Sequence, residues 1–310
     1  MSTIEQTRTG LPDGDHASEP PRRRRLPRQW WVGYLLVLPF FLLFAAFGGY
    51  PLIFALQLSF TDWHGSGTLH WIGLDNYRYL LGNVDFWGSL LNSGVMWLLV
   101  VPVQTVVAIA VAAALTRSGR WYAKVLRTVT ILPYVTPVAA MAQAFILLFD
   151  TNFGVTNFIL SAIGLPKIGW LTTIFWSKPT IALFVLWKSS GFALIVMLAA
   201  VQQIPREVYE ASAIDGAGPF RTFFSITVPL VRRATAFFVV VSTLGISQMF
   251  VEPYVLTKGG PYTSSQTSGL YLYNHIGASD LGTGAANSFL LVILVLLLSL
   301  ISVRLLRAED

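Results

Sequence analysis

The sequence contains no cysteine, which excludes disulfide frameworks, cysteine-based zinc and iron–sulfur sites, and thiol nucleophiles together. Charge is nearly as scarce. Asp, Glu, Lys and Arg make up 12% of 310 residues, where a soluble domain carries about 25%. Hydrophobic residues reach 54% and aromatics 14%, and the mean hydropathy is +0.62. So few charges could not cover a soluble globule of 34.2 kDa, so lipid must supply most of the solvent. No Gly-Lys dipeptide occurs, so there is no Walker A loop and no ATP site of that kind. His-Glu-x-x-His is also absent, and the four histidines (His16, His64, His70 and His275) are scattered. No apolar run carries paired carboxylates, which argues against an intramembrane aspartyl protease or a carboxylate proton relay. The chain does not read as an enzyme.

What is abundant is long apolar sequence. Runs of the length needed to cross a bilayer occur at Val32–Leu52, Leu90–Leu115, Val129–Phe149, Thr180–Val201, Ala234–Val251 and Ala285–Val303. Five lack any charged residue and the fourth contains only Lys188. At about 1.5 Å per residue each can span ~30 Å of hydrocarbon as a helix. Strands of a membrane barrel would alternate apolar and polar residues in segments of about 10, and no such alternation is present. The expected fold class is therefore all-α: a polytopic membrane protein with six transmembrane helices across residues 30–307. The first run is too long and starts too late for a signal peptide. Residues 1–29, rich in Pro, Gly, Arg and acids, read as a disordered basic tail. Its arginine run reads as a topology anchor, not a nucleic-acid patch, and residues 308–310 as a short C-terminal end.

Orientation follows from the basic residues. Of 21 Lys and Arg, sixteen fall in the tail, the second and fourth loops and the C-terminal end. Arg78, Lys167, Lys178 and Lys258 are the four assigned to the other loops. Basic loops stay inside, so both termini are expected in the cytoplasm. A reporter active only outside the membrane should work when fused near Asp75, Gly169 or Gly260. It should fail near Gly119, Gly218 or the C-terminus, and one reversed loop would break the six-span reading.

The fourth loop, residues 204–229, is the most informative stretch. Pro205 suits a first helical position, and Glu207 lies in a first turn that favours an anion. Gly216 is placed to end that helix with a left-handed residue. Pro219 restarts a second helix, with Phe220, Phe223 and Phe224 at i, i+3 and i+4 on one apolar face. That face needs either the lipid interface or a protein partner to cover it.

Within this loop, Glu210-Ala211-Ser212, three residues, Gly216, nine residues and Ile226-Thr227-Val228-Pro229 resemble the EAA loop of ABC importer permeases. Ser212 stands for the second Ala of that pattern and Val228 for its Leu. Over most of residues 30–307 the chain is similar to carbohydrate-type permeases of the maltose-permease kind. Gly73-Leu74-Asp75-Asn76-Tyr77 resembles their first outer loop, and Leu256-Thr257-Lys258-Gly259-Gly260-Pro261 resembles their Leu-Thr-x-Gly-Gly-Pro segment. The resemblance implies a cytoplasmic hairpin in which Tyr209, Glu210, Ala211, Asp215, Gly216 and Ala217 couple to an ATPase. It also implies a second homologous permease, two ABC ATPase subunits carrying ATP and Mg, and an extracytoplasmic sugar-binding protein. No cofactor is expected on this chain itself. The expected location is the cytoplasmic membrane of a bacterium or archaeon.

Polar residues within spans mark candidate paths. Lys188 would be costly alone in hydrocarbon, so it faces a wet cavity, faces a partner's acid or snorkels. Ser242, Ser247 and Gln248 cluster in the fifth span, where small hydroxyls also serve helix packing. The resemblance maps sugar contacts to the neighbourhood of Ser189 and Phe192, and to Ser242, Ile246 and Met249. The maltose-type subunit has amides where this chain has Ile246 and Met249; Gln248 offers one from a neighbouring position. The remaining alternatives are an importer of a non-sugar solute, such as a polyol or phosphodiester, and an ATP-independent secondary transporter. The latter would call for inverted repeats or membrane acids.

Overall fold

The computed structural model describes residues 30–117 and 121–307. The basic tail 1–29, Arg120 and the end 308–310 lie outside the described residues. Contacts divide the chain into two compact units, residues 1–52 and 53–310. In the first, α1 (Trp30–Phe44) passes through a π-helical turn at Ala45–Gly49 into α2 (Tyr50–Leu58). Every described side chain from Trp31 to Phe47 is exposed, an apolar surface that only lipid or another protein can cover.

The second unit takes in the rest of α2 and then a small hairpin, β1 (Thr61–Asp62) antiparallel to β2 (His70–Trp71). It continues through α3 (Asp75–Gly82), α4 (Val84–Arg117), α5 (Trp121–Val135), α6 (Val138–Leu148), α7 (Val155–Ala162) and α8 (Ile174–Val201). Then come α9 (Arg206–Ile214), α10 (Pro219–Thr222), α11 (Val228–Leu230), α12 (Arg232–Ser247), α13 (Val251–Thr257), α14 (Ser268–Gly277) and α15 (Leu281–Arg307). Among the described residues the fold is all-α apart from that one hairpin.

The long pair α4 and α8 forms the centre. Asn92 is bonded to Lys178 near their starts, and Gln104 to Ser189 midway. Leu115 shares a buried cluster with Val201 at their ends. The two helices therefore run parallel. Along α5 and α6, Thr130 and Ile131 lie against Gly191 while Phe145 lies against Phe184 and Trp187, so this strip is antiparallel to α8. In α12, Phe238 meets Phe192 and Thr243 meets Trp97, again antiparallel. Such alternation is what successive membrane crossings demand.

Two spans differ from the straight rods expected. Residues 129–149 are broken between α5 and α6 by a bend of 101°. Pro137 cannot donate to the helix ladder and disfavours helical geometry at Thr136, so the helix stops there. The fifth span is not one helix over 234–251. The segment Pro219–Leu230 meets α12 at 71°, and α12 ends at Ser247. Among the described residues, four helices are long and apolar enough to cross, or six if each bent pair counts as one span. α8 also begins before the expected span, so Lys178 stands on the helix and not in a solvated loop.

The two segments that resembled the permeases' first outer loop and their Leu-Thr-x-Gly-Gly-Pro segment prove to be fasteners. Asn76 donates to the carbonyls of Ser59 and Thr61 at 3.0 and 2.9 Å and accepts from Thr283 at 3.2 Å. One amide thus joins the hairpin to the start of α15. In Leu256–Pro261, Lys258 and Gly259 turn left-handed, and the loop beyond is held from α4 and α8. Asn92 donates to Thr263 and Gln266 carbonyls, and Lys178 to the Ser264 carbonyl at 2.9 Å.

Candidate functional site

At the far end of α4 and α8 lies the hairpin 204–229. Pro205 caps α9 and does not open it: the helix starts at Arg206, with Glu207 in its first turn. The end is as expected. Gly216 takes φ +72°, with Gly216 N–H bonded to Ala213 O at 3.1 Å and Ala217 N–H to Ser212 O at 2.9 Å, the two bonds of a Schellman cap. Ser212 is buried, and its hydroxyl donates to Tyr209 O at 2.9 Å. A serine is tolerated at that small-residue position because it satisfies itself. Tyr209 hydroxyl meets Thr227 Oγ1 at 3.3 Å, tying the two arms together.

The second arm departs from a simple amphipathic helix. α10 is only four residues and passes into a π-helical turn at Phe223–Thr227. This splits the phenylalanines: Phe223 packs on the buried cluster of Met197, Val201 and Val231, whereas Phe220 is 80% exposed. Glu210, Ala211, Asp215 and Gly216 face solvent, Tyr209 and Ala217 are half-buried, and Ile214 is 87% exposed. The hairpin thus presents acids and apolar tips outward while its back is fastened to α4, α8 and α12.

The second candidate is a cleft of about 460 Å³ between α4, α5, α8 and α12, within the ~300–1,000 Å³ of small-molecule sites. Four of the residues read from the sequence line it: Ser189, Phe192, Ser242 and Gln248. So do Ile246 and Met249. The spacing of Ser242 and Gln248 would separate them on one helix; they share this space because α12 ends between them. Gln104 Nε2 donates to Ser189 Oγ at 2.8 Å, while among the described residues no protein hydrogen bond engages the Ser242 hydroxyl or the Gln248 amide. The rings of Tyr134, Phe192 and Phe238 follow one another at 5.8 and 6.0 Å. They add apolar faces to these amides and hydroxyls.

Ser247 is placed elsewhere. Its hydroxyl donates to Thr243 O at 2.8 Å, and it borders two other clefts, of about 470 and 540 Å³, on the α15 side. Those are similar in size or larger, but nearly all of their surface is hydrocarbon, which suits lipid better than a hydroxylated solute. Lys188 does not line the cleft. Its Nζ lies 3.9 Å from Glu252 Oε1, so the acid it needs is supplied by this chain. Glu252 does line the cleft and went unnoticed in the sequence because it falls one residue beyond the fifth apolar run. Gln104 was detectable there, as an amide midway along an apolar run.

A bundle of alternating spans with a fastened hairpin and a lateral cleft carrying a few polar groups is the architecture of a membrane permease. The chain belongs to the binding-protein-dependent transport system inner membrane component family, whose model matches residues 104–309. It is a multi-pass permease subunit. It is 35% identical over 257 residues to the lactose transport system permease protein of Rhizobium radiobacter, covering 81% of this chain and 86% of that one. It is 31% identical over 284 residues to the sulfoquinovosyl glycerol transport system permease protein of Agrobacterium fabrum, covering 90% and 91%. In structure it resembles a chain of the bacterial alginate ABC transporter solved with an alginate pentasaccharide-bound periplasmic protein. There the TM-score is 0.76 at 25% identity, over 88% of this chain and 92% of that chain.

Proposed function

We propose that this chain forms half of the translocation path of an ATP-driven importer for a sugar or oligosaccharide. The relative named for lactose supports the substrate class. The alginate transporter solved with its periplasmic protein supports delivery by a binding protein. The observation that carries the reading is the cleft, where Ser189, Phe192, Ser242 and Gln248 meet between helices otherwise devoted to packing. A sugar needs hydrogen-bonding groups for its hydroxyls and a ring face for its C–H surface, and this cleft offers both. The other half of the path comes from a second, homologous permease. Two ATPases with ATP and Mg bind the hairpin through Tyr209, Glu210, Ala211, Asp215, Gly216 and Ala217. Both termini lie in the cytoplasm of a bacterium or archaeon, and nucleic acid has no part. Closure of the ATPases is carried into the spans through Tyr209–Thr227 and Phe223.

Ser242→Trp tests this reading. An indole placed on the open side of α12 should abolish uptake by the reconstituted importer while leaving assembly and binding-protein docking intact. Normal transport by that variant would show that the solute passes elsewhere.

A further inference from the structure

Among the described residues that line the cleft, Glu252 alone carries a charge. Its side chain is 17% exposed and that of Lys188 23%. An isolated carboxylate at this depth would be costly; a nearby ammonium makes it tolerable. At 3.9 Å the ammonium compensates the charge without a close hydrogen bond, so the carboxylate oxygens keep their capacity to accept. The order of the two groups matters. The acid borders the cleft and the base does not, so the negative end of the pair faces whatever enters.

We propose that Glu252 is a recognition carboxylate that selects uncharged polyhydroxy solutes. It accepts hydrogen bonds from sugar hydroxyls and repels anionic solutes such as uronates, sulfonates and phosphodiesters. A charged acceptor makes hydrogen bonds roughly twice as strong as a neutral one, and the apolar walls contributed by Val100, Val185 and Ile246 focus its field into the cleft. Gln104, Ser189, Ser242 and Gln248 supply neutral partners around it. The reverse order, with Lys188 on the cleft and Glu252 behind, would favour an anion. This inference rests on the cleft being the solute path.

Because the chain lacks cysteine, one introduced thiol reports on the cleft without background from this subunit. Ser242→Cys in the assembled, membrane-embedded importer would be treated with a cationic trimethylammonium methanethiosulfonate or its anionic sulfonate counterpart. Rates would be read from the mass of this chain and normalised to a free thiol. The cationic reagent should be favoured by about tenfold, the order of enrichment expected in a narrow cleft of one sign. Adding Glu252→Gln should reverse the preference, because Lys188 is left uncompensated. Glu252→Gln with Lys188→Met removes both charges without stranding either and should bring the ratio to the free-thiol value. That double variant also keeps the test usable if the single one does not assemble. A ratio near that of the free thiol before Glu252 is touched, or one that persists in the double variant, would overturn the proposal while leaving the path reading standing. A different outcome separates the two. If neither reagent reaches Ser242→Cys while both modify Tyr262→Cys, at a residue 91% exposed, the cleft is not a wet path and both readings fall.

Discussion

Replacing Glu210 with lysine should collapse sugar uptake and sugar-stimulated ATP hydrolysis, while the subunit stays in the membrane and paired with its sister permease. Glu210 is exposed on α9, one residue from Tyr209, whose hydroxyl meets Thr227 on the other arm. Its backbone is set by the cap at Gly216, and none of the described fold depends on its side chain. The substitution therefore leaves the chain's own packing alone and acts on whatever docks there. A desolvated charge pair at an interface loses about 2–5 kcal/mol when one partner is removed, and reversing the sign adds repulsion. Gly216→Val should give a different failure. A β-branched residue is strained at φ +72° and would distort the cap itself. Reconstituted Glu210→Lys complexes with normal uptake would show that this hairpin does not couple the subunit to its ATPase.

The second large effect is expected at Gly191, where the cause lies wholly within the fold. A Cβ there would sit 2.8 Å from Ile131 Cα, 2.9 Å from Thr130 O and 3.2 Å from Tyr134 Cβ. Two of those three are backbone atoms and cannot rotate away, so α5 must move off α8. Overpacking of this kind costs about 1–3 kcal/mol for the single methyl of Gly191→Ala, and the branched side chain of Gly191→Val should cost more. The damage would not stay local. Tyr134 and Phe192 stack at 5.8 Å immediately beside this crossing and form one wall of the cleft. Gly191→Val is expected to lower the yield of assembled complex sharply, and Gly191→Ala to lower its melting temperature and its uptake together. Gly88→Ala on α4 meets nothing within 4 Å and serves as the control, expected to be neutral or slightly stabilising. Wild-type stability in Gly191→Val would mean that α5 and α8 do not cross as closely as described.

The split of Phe220 from Phe223 shows how far a periodic pattern can be trusted. Positions i, i+3 and i+4 share a face only while the helix stays α-helical. Here α10 gives way to a π-helical turn after four residues, which rotates Phe223 onto the core and leaves Phe220 outside. The same limit applied at Gln248. Helical spacing set it apart from Ser242, but the chain leaves the helix at Ser247 and both residues turn to one cleft. Asn76 illustrates the converse: the segment around it resembled an outer loop, yet its amide is a buried fastener to Thr283 on α15.

By itself the sequence determined the class of this protein, the positions of its hydrophobic runs and the hairpin with its helix end at Gly216. These follow from composition, run length and short-range chemistry, which act within a few residues of each other. Only the tertiary structure decided which polar groups share a space. Gln104 and Ser189 are 85 positions apart, and the pairing of Lys188 with Glu252 depends on where α12 stops and how α13 turns back toward α8. Parallel packing of α4 on α8, and the close crossing that Gly191 permits, set those meetings. No local pattern encodes them, because they depend on the joint fit of helices distant along the chain.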